Sequence, residues 1–147
     1  MNIVTIPFHE YLGLELAEPP NLLQLKAQPH HANHLGTIHA SVLIAIAEAG
    51  SGMFLVQHLS DGTEKVGENI FPVIRRIEAK FHQGGQGTIY ARCMLEAKEL
   101  DGARAELKEK RRAKVLVPMQ VVDAGERVLL SVSYDWFIDG RMGGERG

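Results

Sequence analysis

The pattern of apolar and polar positions marks out one long enclosed helix and a set of strands around it. Between Thr37 and Val56 the only charged residue is Glu48, and Val42, Leu43, Ile46, Met53 and Phe54 spread round the helical wheel instead of keeping to one stripe. A helix apolar on every side must be covered by other elements, so the segment starting around His39 is expected at the centre of the fold. A run this long could also cross a bilayer, but Glu48, Gly50, Ser51 and Gly52 within it favour a buried core helix.

Period-two alternation supplies the covering. Leu23-Gln24-Leu25-Lys26-Ala27-Gln28 reads as a strand ending near Pro29, and Ile77, Ala79 and Phe81 alternate with Arg76, Glu78, Lys80 and His82 in a second. Gln83-Gly84-Gly85-Gln86-Gly87 reads as a turn, after which Ile89, Ala91, Cys93, Leu95 and Ala97 form one face of a third strand; the second and third are expected to make an antiparallel hairpin. Val115–Val122 and Val128–Ile138 form another pair across Asp123-Ala124-Gly125-Glu126, with Pro118 pointing to an edge position or a bulge. The charged block from Lys98 to Lys114 fits a short exposed helix or a charged strand extension. Pro7–Leu12 fits a short packing helix stopped by Gly13. One long apolar helix with a run of antiparallel strands predicts an α+β domain whose sheet curls round the helix. It spans residues 1–139, with 140–147 expected as a disordered tail.

Composition narrows the class. A chain of 147 residues is enough for one self-sufficient core, and 16 basic against 18 acidic residues, net −2, give no electrostatic reason to expect a nucleic-acid or membrane-surface partner. The single cysteine, Cys93, excludes an intrachain disulfide and lies on an apolar strand face, which suits a core residue better than a nucleophile. Met1-Asn2-Ile3-Val4-Thr5 has no secretory pattern, so a cytoplasmic location is expected.

Glu48 then becomes the chemical question, because an ionised acid is costly to bury unless it is paired or put to use. Polar groups gather just before the helix in Asn33-His34-Leu35-Gly36-Thr37-Ile38-His39. Taken singly, each has an ordinary reading: Glu48 as the partner of an arginine, His39 as a helix cap, Asn33 as a turn residue. His30, His31, His34 and His39 also invite a metal reading, but Pro29 and Gly36 argue against a helix that presents them together, and no metal site is expected. The joint spacing of Asn33, Gly36, His39 and Glu48 is the stronger signal.

Asn33-x-x-Gly36-x-x-His39, followed by an apolar helix with an acid at position 48, resembles the hotdog-fold acyl-CoA thioesterases of the phenylacetyl-CoA (PaaI-like) type, within a less characterised branch. The resemblance implies a hotdog fold and at least a homodimer with paired sheets, dimers of dimers being open. It also implies hydrolysis of a thioester between an acyl group and coenzyme A or acyl carrier protein, with no cofactor beyond the coenzyme A of the substrate. It places Asn33 near the attacking water, His39 at the oxyanion end and Gly36 in a tight loop. Many relatives carry Gly-Gly after the histidine, where this chain has Ala40-Ser41.

The start of a helix offers unpaired N–H groups that can hold a developing oxyanion, here those of Ala40 and Ser41, with Glu48 as nucleophile or general base. Glu48 lies eight residues beyond Ala40, about 12 Å along a helix, too far for one chain to bring both to one carbonyl. Two copies of the helix running antiparallel across a two-fold axis would bring them together, so a composite site at a dimer interface is expected. A hotdog dehydratase or hydratase and a non-catalytic acyl-thioester-binding protein are the alternatives. Asn69 is a further candidate in the segment Ser60–Asn69, and Arg75, Arg76, Lys80 and Lys110–Lys114 are candidates for coenzyme A phosphates.

Overall fold

Ala40–Leu59 forms the central helix, α2, and the strands form one antiparallel sheet around it. The computed structural model describes residues 1–59 and 65–140. In chain order the elements are α1 (Pro7–Leu12), β1 (Glu15–Leu16), β2 (Leu23–Lys26), α2, β3 (Phe71–Phe81), β4 (Thr88–Cys93), α3 (Asp101–Lys110), β5 (Arg112–Asp123) and β6 (Val128–Asp139). The sheet order is β1-β2-β4-β5-β6-β3. This is the hotdog arrangement that the resemblance implied.

The covering of α2 follows from its composition. Ile46, Ala47 and Leu55 are buried against inward residues of the sheet such as Leu25, Ile89, Val117, Met119 and Ile138. α2 is long and apolar enough to cross a membrane, yet more than half of its apolar window is buried inside the fold. Gly50 sits at a close approach: a Cβ there would come 2.9 Å from the Met119 Cε and 3.5 Å from the Ala91 Cβ. Its backbone lets the helix settle onto β4 and β5.

The expected hairpin between the second and third strands does not form. β3 pairs with β6, while β4 lies between β2 and β5. The glycine-rich segment from Gln83 to Gly87 is a crossing connection instead of a tight turn: the Gly85 carbonyl accepts from the Ile38 N–H at 2.9 Å and the Gly87 carbonyl from the Ala27 N–H at 3.1 Å. A Cβ at Gly85 would collide with Leu129, so glycine serves a close contact there. Alternation reports which face of a strand is covered, not which strand lies beside it.

β5 and β6 do form the expected pair, in one register from Arg112↔Asp139 to Val121↔Leu130, with a shift before Val122↔Val128 at the turn. Pro118 sits where the β4–β5 pairing ends: Cys93 pairs with Met119, Pro118 faces Ser133 of β6, and its carbonyl takes a last bond from the Met94 N–H at 2.9 Å, so the missing proline N–H falls at the end of that ladder. The charged block resolves into both of its expected forms. α3 runs to Lys110, Arg111 turns the chain with φ 57°, and β5 begins at Arg112. α1 ends as expected at Gly13, whose φ of 80° is left-handed and whose N–H returns to the His9 and Glu10 carbonyls. Gly140 donates to the Arg111 carbonyl at 2.7 Å, and the rest of the expected tail, residues 141–147, lies outside the described residues.

Candidate active site

Glu48 projects from the middle of α2 with about a third of its side chain exposed (33%). Burial raises its pKa above the usual carboxylate range, against a smaller lowering by His9. His9 comes from α1, a segment read from sequence only as packing. Its Nδ1 lies 2.7 Å from the Ile3 carbonyl and its Nε2 lies 3.9 Å from Glu48 Oε2. The ring is buried, at 7% exposure.

Below the carboxylate the helix is tied to the sheet. The Trp136 indole N–H donates to Ser51 Oγ at 2.9 Å, and that hydroxyl donates to the Glu48 carbonyl at 2.7 Å. The Tyr134 hydroxyl donates to the Ile44 carbonyl at 2.6 Å, and burial together with the nearby Glu48 charge raises its pKa. Glu48 and His9 face a cavity of about 260 Å³ whose other walls include Ile3, Ile6, Val56, Val66, Pro72 and Trp136. The arrangement is an apolar pocket with one acid and one histidine at its wall, a setting in which a carboxylate can act as a base or a nucleophile.

The other expected residues gather at the start of α2. Asn33 Oδ1 accepts from the N–H groups of Leu35 at 2.9 Å and Thr37 at 3.1 Å, and its Nδ2 donates to Thr37 Oγ1 at 2.8 Å. The side chain thereby shapes the loop in which Gly36 adopts a left-handed φ of 76°. His39 accepts at the first turn of α2: its carbonyl takes the N–H of Val42 and its Nδ1 takes that of Ser41 at 3.0 Å. Of the two helix-start donors, Ser41 N–H is thus engaged, while Ala40 N–H has no partner among the described residues. Along the helix axis Ala40 and Glu48 are about 12 Å apart, and one chain does not bring them together.

Other candidates have local work. The Gln28 N–H donates to His31 Nδ1 and His31 Nε2 donates to the Leu12 carbonyl, both at 2.9 Å, so both ring nitrogens are spent on the backbone. Among the described residues no group of three or more His, Cys, Asp or Glu is placed to hold a metal. Asn69 Oδ1 accepts from the Lys65 N–H in the turn before β3; of that candidate segment, residues 60–64 lie outside the described residues. Arg75 stacks over Phe137 at 5.0 Å and Arg76 lies 4.0 Å from Glu78. Burial raises the pKa of Cys93, which leaves it a poor nucleophile.

His9 is the neighbour that sequence reasoning missed. Its only signal was position: it falls on the covered face of a short helix with Leu12, and nothing in the pattern states what covers that face.

Residues 15–138 match the model of a family described as a domain of unknown function, DUF4442. No curated protein matches the chain. Among solved structures it resembles PA5026 from Pseudomonas aeruginosa, a protein of unknown function named as a probable thioesterase, at 20% identity and TM-score 0.75, covering 95% of this chain and 91% of that one. Thioesterase HI1161 from Haemophilus influenzae matches at 11% identity and TM-score 0.64, covering 98% and 90%. BH2602 from Bacillus halodurans, whose structure contains CoA, matches at 13% identity and TM-score 0.65, covering 89% and 74%. At these identities the likeness establishes the fold.

Proposed function

The chain belongs to the family described as a domain of unknown function, DUF4442, and from that premise we propose that it hydrolyses acyl thioesters, with Glu48 as general base or nucleophile. The observation that carries the reading is a carboxylate on the central helix, its pKa raised by burial, facing an apolar cavity. A carboxyl moved toward neutrality is a stronger base than a solvated one. The cavity, about 260 Å³, exceeds the roughly 150 Å³ that holds a benzene ring in an engineered apolar site, and among the described residues its walls carry no lysine or arginine. It suits an uncharged acyl group of modest length. The thioesterase and CoA-bound structures of the same fold agree with this class of substrate.

In the general-base form, Glu48 takes a proton from water as the oxygen adds to the carbonyl carbon. The oxyanion is held by a helix-start N–H, then the C–S bond breaks and the thiolate leaves with the proton from Glu48. The donor comes from a second copy of the chain. Support for two copies lies in the edge strand β3, eleven residues long, paired on one side only and exposing Val73, Ile77 and Phe81. Pairing β3 with its own copy across a two-fold axis makes the two α2 helices antiparallel. Ala40 N–H is the donor that remains for the oxyanion, since His39 engages Ser41.

A histidine beside the acid also suits a hydratase, in which the two exchange protons with an enoyl thioester. A panel of acyl-CoA and acyl-carrier thioesters, including crotonyl thioester, separates these readings. The expected result is thioester hydrolysis that falls by about 10²–10⁴ in Glu48→Gln. Hydration of crotonyl thioester without hydrolysis favours the second reading, and turnover of no member by the wild type contradicts both.

A further inference from the structure

We propose that His9 is a positioning residue for Glu48: α1 presents an imidazole anchored through Nδ1, so that Nε2 is aimed at the carboxylate from 3.9 Å. The inference rests on the reading of Glu48 as the reacting acid.

The anchor fixes the proton. The Ile3 carbonyl, 2.7 Å from Nδ1, can only accept, so Nδ1 carries hydrogen. Nε2 is left facing Glu48. As an imidazolium it attracts the ionised acid; as a neutral ring it turns a lone pair toward the carboxyl, which favours a protonated acid. At 3.9 Å the contact is an electrostatic one, beyond the reach of a direct hydrogen bond. His31 shows the contrast, because both its nitrogens are spent on backbone partners.

Among the described residues, Met1 also lines the cavity that Glu48 and His9 face, and its α-amino group is the other cationic group there. The titratable side chains that interact with Glu48 among the described residues are His9 from α1 and the Tyr134 phenol from β6, whose hydroxyl is committed to the Ile44 carbonyl. Among the described residues no lysine or arginine pairs with Glu48. His9 is thus the group that keeps an ionised acid in one orientation at the wall of an apolar cavity, and the strap from Ile3 to Ile6 aligns the ring.

The test is a titration of the acid. The Glu48 side-chain carboxyl carbon is followed by NMR against pH in the wild type, in His9→Gln and in His9→Phe, which keeps a buried ring without a charge. Without the imidazole the Glu48 midpoint is expected to rise by about one pH unit. In His9→Gln the acidic limb of the kcat/KM profile moves upward by the same interval, with kcat reduced at neutral pH and KM little changed.

A Glu48 midpoint that stays within about 0.3 pH unit in both variants overturns the proposal. A histidine that only packs α1 would give that result. Should His9→Gln loosen α1, His9→Phe decides, because it fills the buried site with a ring that carries no charge. Moving midpoints in a protein that hydrolyses no thioester would retain the pair and remove the proposed function; hydrolysis with fixed midpoints would do the reverse.

Discussion

Replacing Ser51 with alanine removes the link through which Trp136 holds the helix beneath Glu48. Ser51 is fully buried (0% exposed) and Trp136 nearly so (8%), and the indole N–H reaches the hydroxyl at 2.9 Å. In Ser51→Ala that N–H is left buried without an acceptor, which costs about 1–3 kcal/mol. The hydroxyl's own bond to the Glu48 carbonyl adds at most about 1 kcal/mol, because that carbonyl lies in mid-helix and keeps its helical partner. Trp136→Phe loses the same indole bond together with part of the ring, about 2 kcal/mol in all. In the Trp136→Phe background there is no indole to strand, so Ser51→Ala should then cost only about 1 kcal/mol. A coupling of about 1–3 kcal/mol follows. Urea denaturation of the four proteins measures it through the midpoint at constant slope, with each kcal/mol also lowering the melting temperature by about 2–4 °C. Costs that add within about 0.5 kcal/mol would refute the indole–hydroxyl link.

Two pH effects of opposite sign are expected. His31 is buried with its Nδ1 accepting from Gln28, and burial, with a smaller effect of His30, lowers its pKa. Between the folded and unfolded values the unfolded chain binds more protons, so this contribution is lost as pH falls below about 6.5; denaturation midpoints across pH 5–8 should show it, and His31→Gln should flatten that limb. Glu48 works the other way: its folded pKa is raised, the folded chain holds the proton more tightly, and stability falls as pH rises through that value. Glu48→Gln should therefore be more stable than the wild type at pH 8 in a thermal melt while losing hydrolysis, and a less stable variant would contradict the burial cost.

The strand and helix spans were legible wherever periodicity was strong. α2, α1 with its stop at Gly13, and the β5–β6 pair with its turn at Asp123–Glu126 follow directly from apolar spacing and turn residues. The pairing of β3 was not legible, because Gln83–Gly87 has the composition of a hairpin turn and is used as a crossing connection packed on Ile38 and Leu129. The same division holds at the site. Glu48 was conspicuous as a charge in an apolar run, and the cluster from Asn33 to Ser41 as polar groups before a helix. His9 was not, since its approach to Glu48 depends on how α1 lies against α2, a tertiary relation that local pattern does not encode. Nor could sequence say that His39 would engage Ser41 and leave Ala40 as the available donor.

A mixed-dimer experiment tests the composite site most directly. Glu48→Gln removes the acid, and Ala40→Pro removes the one helix-start N–H left for the oxyanion, at the first helical position where proline is tolerated. Each variant alone should be inactive. Refolded together in equal amounts, half of the dimers are hybrids and each hybrid contains one intact site, so about a quarter of wild-type hydrolysis should return. Hybrids observed by native mass spectrometry with no recovered hydrolysis would contradict a site shared between two chains.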